Sequence, residues 1–289
     1  MTLSDVAGLL QLSWDTVKEV VKKRLSTDFA RIGLRDVRHI AIDEIYLGKK
    51  KKYITLVICL ESGRILWVGE GRGASALTGF WRRVKRARAR IRAVAMDMSG
   101  AYALAVRERL PHAIITFDRF HVIKLMNKRL DELRCELVRE AQGKEARANI
   151  KGLRWLLLHR KDNLEPSARK RLDAALDLNQ PLATAYLLKE QMGEIWEQTD
   201  GRAAWAMMQR WCAMARASAI KQLCAMARTL LSHAKGILSY YKTGITSGKM
   251  EGTNRKIRGL LCAAYGLRDH DFLKLRLYAL HQAKWNFIG

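Results

Sequence analysis

The hydrophobic period of this chain changes twice, and few folds accept that pattern. Residues 4–25 repeat apolar positions at helical spacing: Val6, Ala7, Leu9, Leu10 and Leu12, then Val17, Val20 and Val21 after Ser13, a good N-cap. Residues 39–43, 53–60 and 64–68 are instead short runs rich in β-branched and aromatic residues. Turn signals separate them: Gly48 with four lysines, then Glu61, Ser62 and Gly63. They read as an antiparallel three-strand meander. A helix over 77–92, a strand over 92–96, a helix over 100–110 and a strand over 113–117 follow, and from residue 119 the period is helical almost to the end. That order predicts an α/β fold: a mixed sheet with a long all-α insertion, preceded by a small helix-turn-helix. The expected division is a helix-turn-helix segment over 1–25, a linker over 26–38 and the first part of the α/β domain over 39–118. A helical insertion over 119–240 and closing helices over 241–289 complete it. Only three prolines interrupt the 289 residues, which favours long helices.

Charge narrows the partner. The chain carries 53 Lys+Arg against 28 Asp+Glu, a net +25. Such a surplus repels itself unless a polyanion neutralises it, and nucleic acid is the usual one. The longest apolar runs, such as 101–106, are far too short to span a membrane, and the start has no secretory pattern. Cys59, Cys135, Cys212, Cys224 and Cys262 are scattered with no C-x-x-C pair, which excludes a zinc ribbon and suits a reducing cytoplasm. Residues 81–92 hold seven Arg/Lys and no acid, so Arg82, Arg83, Lys85 and Arg86 are expected along a DNA backbone. Lys49 and Lys50, at a hairpin tip, are expected to do the same. Ala7, Leu12, Thr16 and Val17 match helix-turn-helix spacing, with Gln11 where the tight turn often has glycine. Lys18, Lys22, Lys23 and Arg24 would be the bases of the second helix.

Two strands end in an acid, at Asp43 and at Asp97. Displacement at a phosphodiester needs charge neutralised on the attacking and the leaving oxygen, which a pair of divalent ions on hard oxygen ligands provides. A third acid is therefore expected on a helix beyond the sheet. Glu251 fits: on a helical wheel Glu251, Asn254, Arg255 and Arg258 share one arc, and Met250, Ile257, Leu260 and Leu261 another. Asn254, Arg255, Lys256 and Arg258 are expected to touch substrate phosphates. Asp118 rivals Asp97 as the second carboxylate, because it too ends a strand, and His121 lies one helical turn on. Otherwise Asp118 caps the next helix, or with His121 orients a ligand. Glu44 points to the opposite face of the strand from Asp43.

The segments HIAIDE, AMDMSGAY, FDRFHV and TSGKMEGTNRKIRGL, in this order, resemble the DDE transposases of bacterial insertion sequences, closest to the ISL-three group. The resemblance covers residues 4–281 and implies a ribonuclease-H-like catalytic domain. It implies Asp43, Asp97 and Glu251 as metal-binding acids, with two Mg2+ or Mn2+ ions as cofactor, and it favours Asp97 over Asp118. It also implies double-stranded DNA as partner, at element ends and target, a homo-oligomer on that DNA, and a bacterial cytoplasmic location. Two departures stand out. Cysteines of the zinc-binding module that family members place before the helix-turn-helix do not occur in residues 1–25, so a protein without that module, with weak sequence discrimination, is expected. Ser247 stands four residues before Glu251 where a Tyr is common, with Tyr240 and Tyr241 displaced. A nuclease of the same fold that cuts without joining, and an inactive DNA-binding regulator, are the alternatives.

Overall fold

The computed structural model describes residues 2–48, 53–246, 248–263 and 269–281. Two short helices, α1 (Leu3–Leu10) and α2 (Trp14–Asp28), lead into three strands, β1 (His39–Tyr46), β2 (Tyr53–Cys59) and β3 (Ile65–Glu70). Next come α3 (Thr78–Ala87), β4 (Ala93–Met96), α4 (Gly100–Arg109) and β5 (Ile114–Phe117). The long helix α5 (Arg119–Glu140) opens a helical run: α6 (Lys144–Gly152), α7 (Arg154–Leu158), α8 (Pro166–Asp177), α9 (Gln180–Gln191), α10 (Gly201–Ala217), α11 (Lys221–Leu238) and α12 (Tyr240–Thr243). Helices α13 (Gly248–Ala263) and α14 (His270–Tyr278) close the described chain. The contacts divide it into Met1–Thr116 with Ile245–Gly289, and Phe117–Gly244.

In the first unit the strand order is β3-β2-β1-β4-β5. β1 pairs antiparallel with β2 and parallel with β4, while β2 pairs antiparallel with β3, so the sheet is mixed. This is the α/β arrangement expected from the order of periods. Alternation along β1 and β2 sends Ala41, Ile45, Ile54, Leu56 and Ile58 to one face, where they join Met250 and Ile257 of α13 and Leu273 and Leu277 of α14 in one core. Burial of these apolar faces holds the two C-terminal helices on the sheet.

Several local boundaries differ from expectation. α2 runs to Asp28, three residues into the expected linker. α3 stops at Ala87, because Arg88 takes a left-handed φ of 48° and its N–H turns back to the Lys85 carbonyl. The residues up to 92 then feed β4, where the Arg92 N–H donates to the Arg38 carbonyl at 2.6 Å. Lys49 and Lys50 lie outside the described residues.

The turn between α1 and α2 needs a left-handed residue, and Gln11 supplies it at φ 52°. A side chain there costs about 1 kcal/mol or more. Gln11→Gly is therefore expected to raise the melting temperature, measured by circular dichroism.

Helix α2 is tied to α14 by charge. The Asp269 carboxylate receives Lys22 Nζ at 2.8 Å and lies 3.1 Å from Lys18 Nζ. The Lys22 hydrogen bond, aided by the backbone N–H of Phe272, holds the Asp269 carboxyl well below the usual carboxylate range. A depressed carboxyl stabilises the fold above its unfolded pKa of about 3.9 and loses that contribution as pH falls toward the lower folded value. The melting-temperature gap between wild type and Asp269→Asn is therefore expected to be constant near neutrality and to shrink below about pH 4.

The second unit is all helix. Its core gathers Val122, Met126 and Leu130 of α5, Leu182 of α9, Met208 and Trp211 of α10, and Leu223, Met226 and Leu230 of α11, all buried. Trp211 is fully buried and satisfies its indole by donating to the Leu188 carbonyl at 2.7 Å. Among the described residues no helix is long and apolar enough to cross a membrane.

Candidate active site

The β1–β4 register runs His39 to Ala93, Ile40 to Val94 and Ala41 to Ala95. Both strands advance by the same rise, so the same register carried two residues further would set Asp43 beside Asp97, the residue just past the end of β4. Period-two alternation along β1 puts Asp43 on the face of Ala41, which shares its core with Ala95 and with Met250 and Ile257 of α13. Asp43 also pairs with Leu56 of β2, another residue of that face. Both acids are half-buried. The Asp97 Oδ1 accepts the Ser99 N–H at 3.1 Å, and the Asp43 Oδ1 accepts the Glu44 N–H at 2.8 Å.

Helix α13 reaches this point through Asn254. Its Nδ2 donates to the Asp43 Oδ2 at 2.6 Å. The helix is anchored by Met250, Thr253 and Ile257, all buried, on the apolar arc adjoining Asn254. Glu251 lies one helical turn before Asn254, on the same side of the helix. Its carboxylate is half-exposed and pairs with Arg255 at 3.2 Å. Among the described residues no three His, Cys, Asp or Glu stand together as a ready metal cage. The structure thus joins Asp43 to α13 through Asn254, and turns the Glu251 carboxylate toward its own helix.

Glu44 faces the other way. Its Oε1 accepts the Tyr102 hydroxyl of α4 at 2.6 Å, and that hydroxyl also meets Thr55 Oγ1 at 2.9 Å and the Gly73 N–H at 2.8 Å. Burial first, and then the Glu44 carboxylate, pushes the Tyr102 phenol up. This network braces the back of β1 where Asp43 projects from the front. In the second unit, Asp118 caps α5: its Oδ1 accepts the Phe120 N–H at 3.0 Å and its Oδ2 lies 3.0 Å from His121 Nδ1.

The basic residues divide by exposure. Arg82, Lys85 and Arg86 are exposed on α3, and Lys256 and Arg258 on α13. Arg82 and Lys85 join Arg88 and Arg109 around a cleft of about 720 Å³ beside Trp81 and Leu110. Arg83 is half-buried and differs from these neighbours. Its guanidinium turns inward, donating to the Ile32 carbonyl at 2.8 Å and the Leu66 carbonyl at 3.3 Å, against the Trp67 ring. Sequence reasoning missed the Asn254–Asp43 bond and the Tyr102 brace. The arc shared by Glu251 and Asn254 was the only local signal for the first, and nothing local signalled the second.

A family model described as Transposase, of the ISL-three DDE type, matches residues 40–277. The chain belongs to the DDE transposases of the ISL-three group. It is 34% identical over 279 residues to the transposase for insertion sequence element IS1001 of Bordetella parapertussis, a match covering 95% of this chain and 68% of that protein. It is 28% identical to the transposase for IS1557 of Mycobacterium tuberculosis, covering 93% of this chain and 66% of the relative. The chain thus spans about two thirds of the length of these relatives. A looser likeness, with TM-score 0.41 and 10% identity, covers 99% of this chain and 93% of a chain in the Drosophila P element transposase strand transfer complex. Family membership makes this a DNA transposase, a DDE-type polynucleotidyl transferase that works on DNA with divalent metal. The side chains that could ligate suit such a cation: the carboxylates of Asp43, Asp97 and Glu251 and the amide of Asn254 offer hard oxygens, and the Asn254 Oδ1 is buried with no hydrogen-bond partner among the described residues.

Proposed function

We propose that Asp43, Asp97 and Glu251 are the acids of the DDE centre, and that two Mg2+ or Mn2+ ions serve them during cleavage of element ends and joining to target DNA. The single observation that carries this reading is the parallel β1–β4 register, continued to Asp43 and Asp97 under α13. Bound ions supply charge neutralisation on the attacking and leaving oxygens of the phosphodiester. Asp43 and Asp97 offer carboxylates from rigid strand ends. Glu251 completes the set when Arg255 exchanges it for a DNA phosphate, since an exposed ion pair of this kind is worth little to keep. The nucleophile is water for cleavage and a 3′-hydroxyl for joining, so no protein nucleophile is required. Asp118 keeps its role as cap of α5, with His121 beside it.

DNA is held by exposed bases: Arg82, Lys85 and Arg86 on α3, and Arg255, Lys256 and Arg258 on α13, with Lys49 and Lys50 as further contacts. The α1–α2 pair acts as a helix-turn-helix through its exposed bases, because Lys18 and Lys22 are committed to Asp269. The active form is a homo-oligomer on DNA in the bacterial cytoplasm.

The test is nicking of plasmid DNA with Mg2+ or Mn2+ against a chelator, followed by joining of a pre-cut end. Cutting without joining would favour a plain nuclease, and binding without cutting a regulator. Arg258→Ala is expected to flatten the salt dependence of duplex binding by about one phosphate's worth. An unchanged slope removes Arg258 from the DNA path.

A further inference from the structure

We propose that Asn254 is a positioning residue of the cation site: it holds the Asp43 carboxylate and adds a neutral amide oxygen beside it. The proposal rests on the reading of Asp43 as a metal-binding acid.

Both oxygens of Asp43 are engaged, and by different elements. Oδ1 takes the Glu44 N–H of its own strand, and Oδ2 takes Asn254 Nδ2 from α13. The carboxylate plane is therefore set between β1 and α13. Met250, Thr253 and Ile257 seat the helix on the sheet, so the amide is presented from a fixed surface. The other amide atom, Oδ1, is buried and has no hydrogen-bond partner among the described residues. Buried acceptors are almost always paired, so an unpaired one beside a carboxylate calls for a ligand.

The chemistry explains why an amide suits this place. Acids crowded together repel, and a further carboxylate would add to that. An amide oxygen is a hard donor without charge, and the same group carries the N–H that Asp43 needs. Nitrogen and oxygen sit on one planar amide, so one residue can serve the carboxylate with its N–H and a hydrated cation with its oxygen. An Asp at this position keeps the oxygens and loses the N–H. An Ala loses both.

The test uses the full chain and Mn2+ alone, with binding followed by electron paramagnetic resonance and calorimetry. Duplex binding in chelator at fixed salt is measured in parallel. Asn254→Ala is expected to weaken Mn2+ binding about 10- to 100-fold, the scale for groups that orient metal ligands, with duplex affinity little changed. Asn254→Asp is expected to recover most of the Mn2+ affinity. Asn254→Leu, which keeps the branching at Cγ without polar atoms, repeats the Ala test if Ala proves unstable by circular dichroism. Wild-type Mn2+ affinity in Asn254→Ala overturns the proposal, and a fall in duplex affinity alone makes Asn254 a phosphate contact instead. Equal losses in the Ala and Asp variants overturn the role of the oxygen. Asp43→Asn separates the two levels. If it loses Mn2+ while Asn254→Ala does not, only this proposal fails; if neither changes Mn2+ binding, the reading of Asp43 fails as well.

Discussion

Asp43→Asn and Asp97→Asn are each expected to lower metal-dependent DNA cleavage by about a thousandfold or more, the scale seen when one member of a concerted site is removed. Duplex binding should persist, because phosphate contacts from exposed bases carry most of the affinity. The strand ends explain the size of the effect. The β1–β4 register, carried two residues beyond Ala41 and Ala95, sets Asp43 beside Asp97, so loss of either removes one of the two strand-end carboxylates of the proposed site. Asp118→Ala is the contrast. Its carboxylate caps α5, so its loss should cost about 0.5–2 kcal/mol of stability with cleavage retained. Plasmid nicking at saturating Mg2+, beside melting curves, reads both outcomes. Active Asp97→Asn with inactive Asp118→Ala would reverse the assignment of the second acid.

Gly69→Ala is expected to be the most damaging small substitution in the sheet. A Cβ on Gly69 would overlap the backbone carbonyl oxygen of Ala76 and lie 2.9 Å from the Trp67 indole nitrogen. That nitrogen donates to the same Ala76 carbonyl at 2.8 Å, which pins the turn after β3. Backbone cannot yield as a side-chain tip can. The cost should be about 3 kcal/mol or more, from overpacking and the lost hydrogen bond. The melting temperature should then fall by roughly 6–12 °C. Gly259→Ala in α13 meets nothing within 4 Å. It should instead stabilise by about 0.4–1 kcal/mol through the unfolded chain. If Gly69→Ala melts like wild type, the close approach at β3 carries no strain.

How much of this was legible in the residues depends on range along the chain. Alternation continued from the run 39–43 placed Asp43 and Glu44 on opposite faces, and the structure, where β1 runs on to Tyr46, shows Glu44 on Tyr102 and Asp43 on Asn254. Helical spacing separated the apolar arc of Met250 and Ile257 from the polar arc of Glu251, and both apolar residues are buried in the sheet core. The caps at Ser13 and Asp118 were readable because a cap joins a residue to its near neighbours. The end of α3 was not. Seven bases spread over residues 82–92 keep a helical pattern well past Arg88, and the chain leaves it early to hydrogen-bond with Arg38. Arg83 looked like its basic neighbours until the carbonyls of Ile32 and Leu66 claimed it.

The amino-acid sequence by itself determined the faces of strands and helices, since side-chain direction follows from local backbone geometry. It also determined the hard-oxygen chemistry of the acids and the basic surface. Only the tertiary structure decided which of those groups meet. Asp43 and Asn254 are 211 residues apart, and Lys22 and Asp269 are 247 apart. Such pairs form because burial of the apolar sides of α13 and α14 on the sheet brings them together, and hydrophobic burial has no preference for the polar partners it delivers.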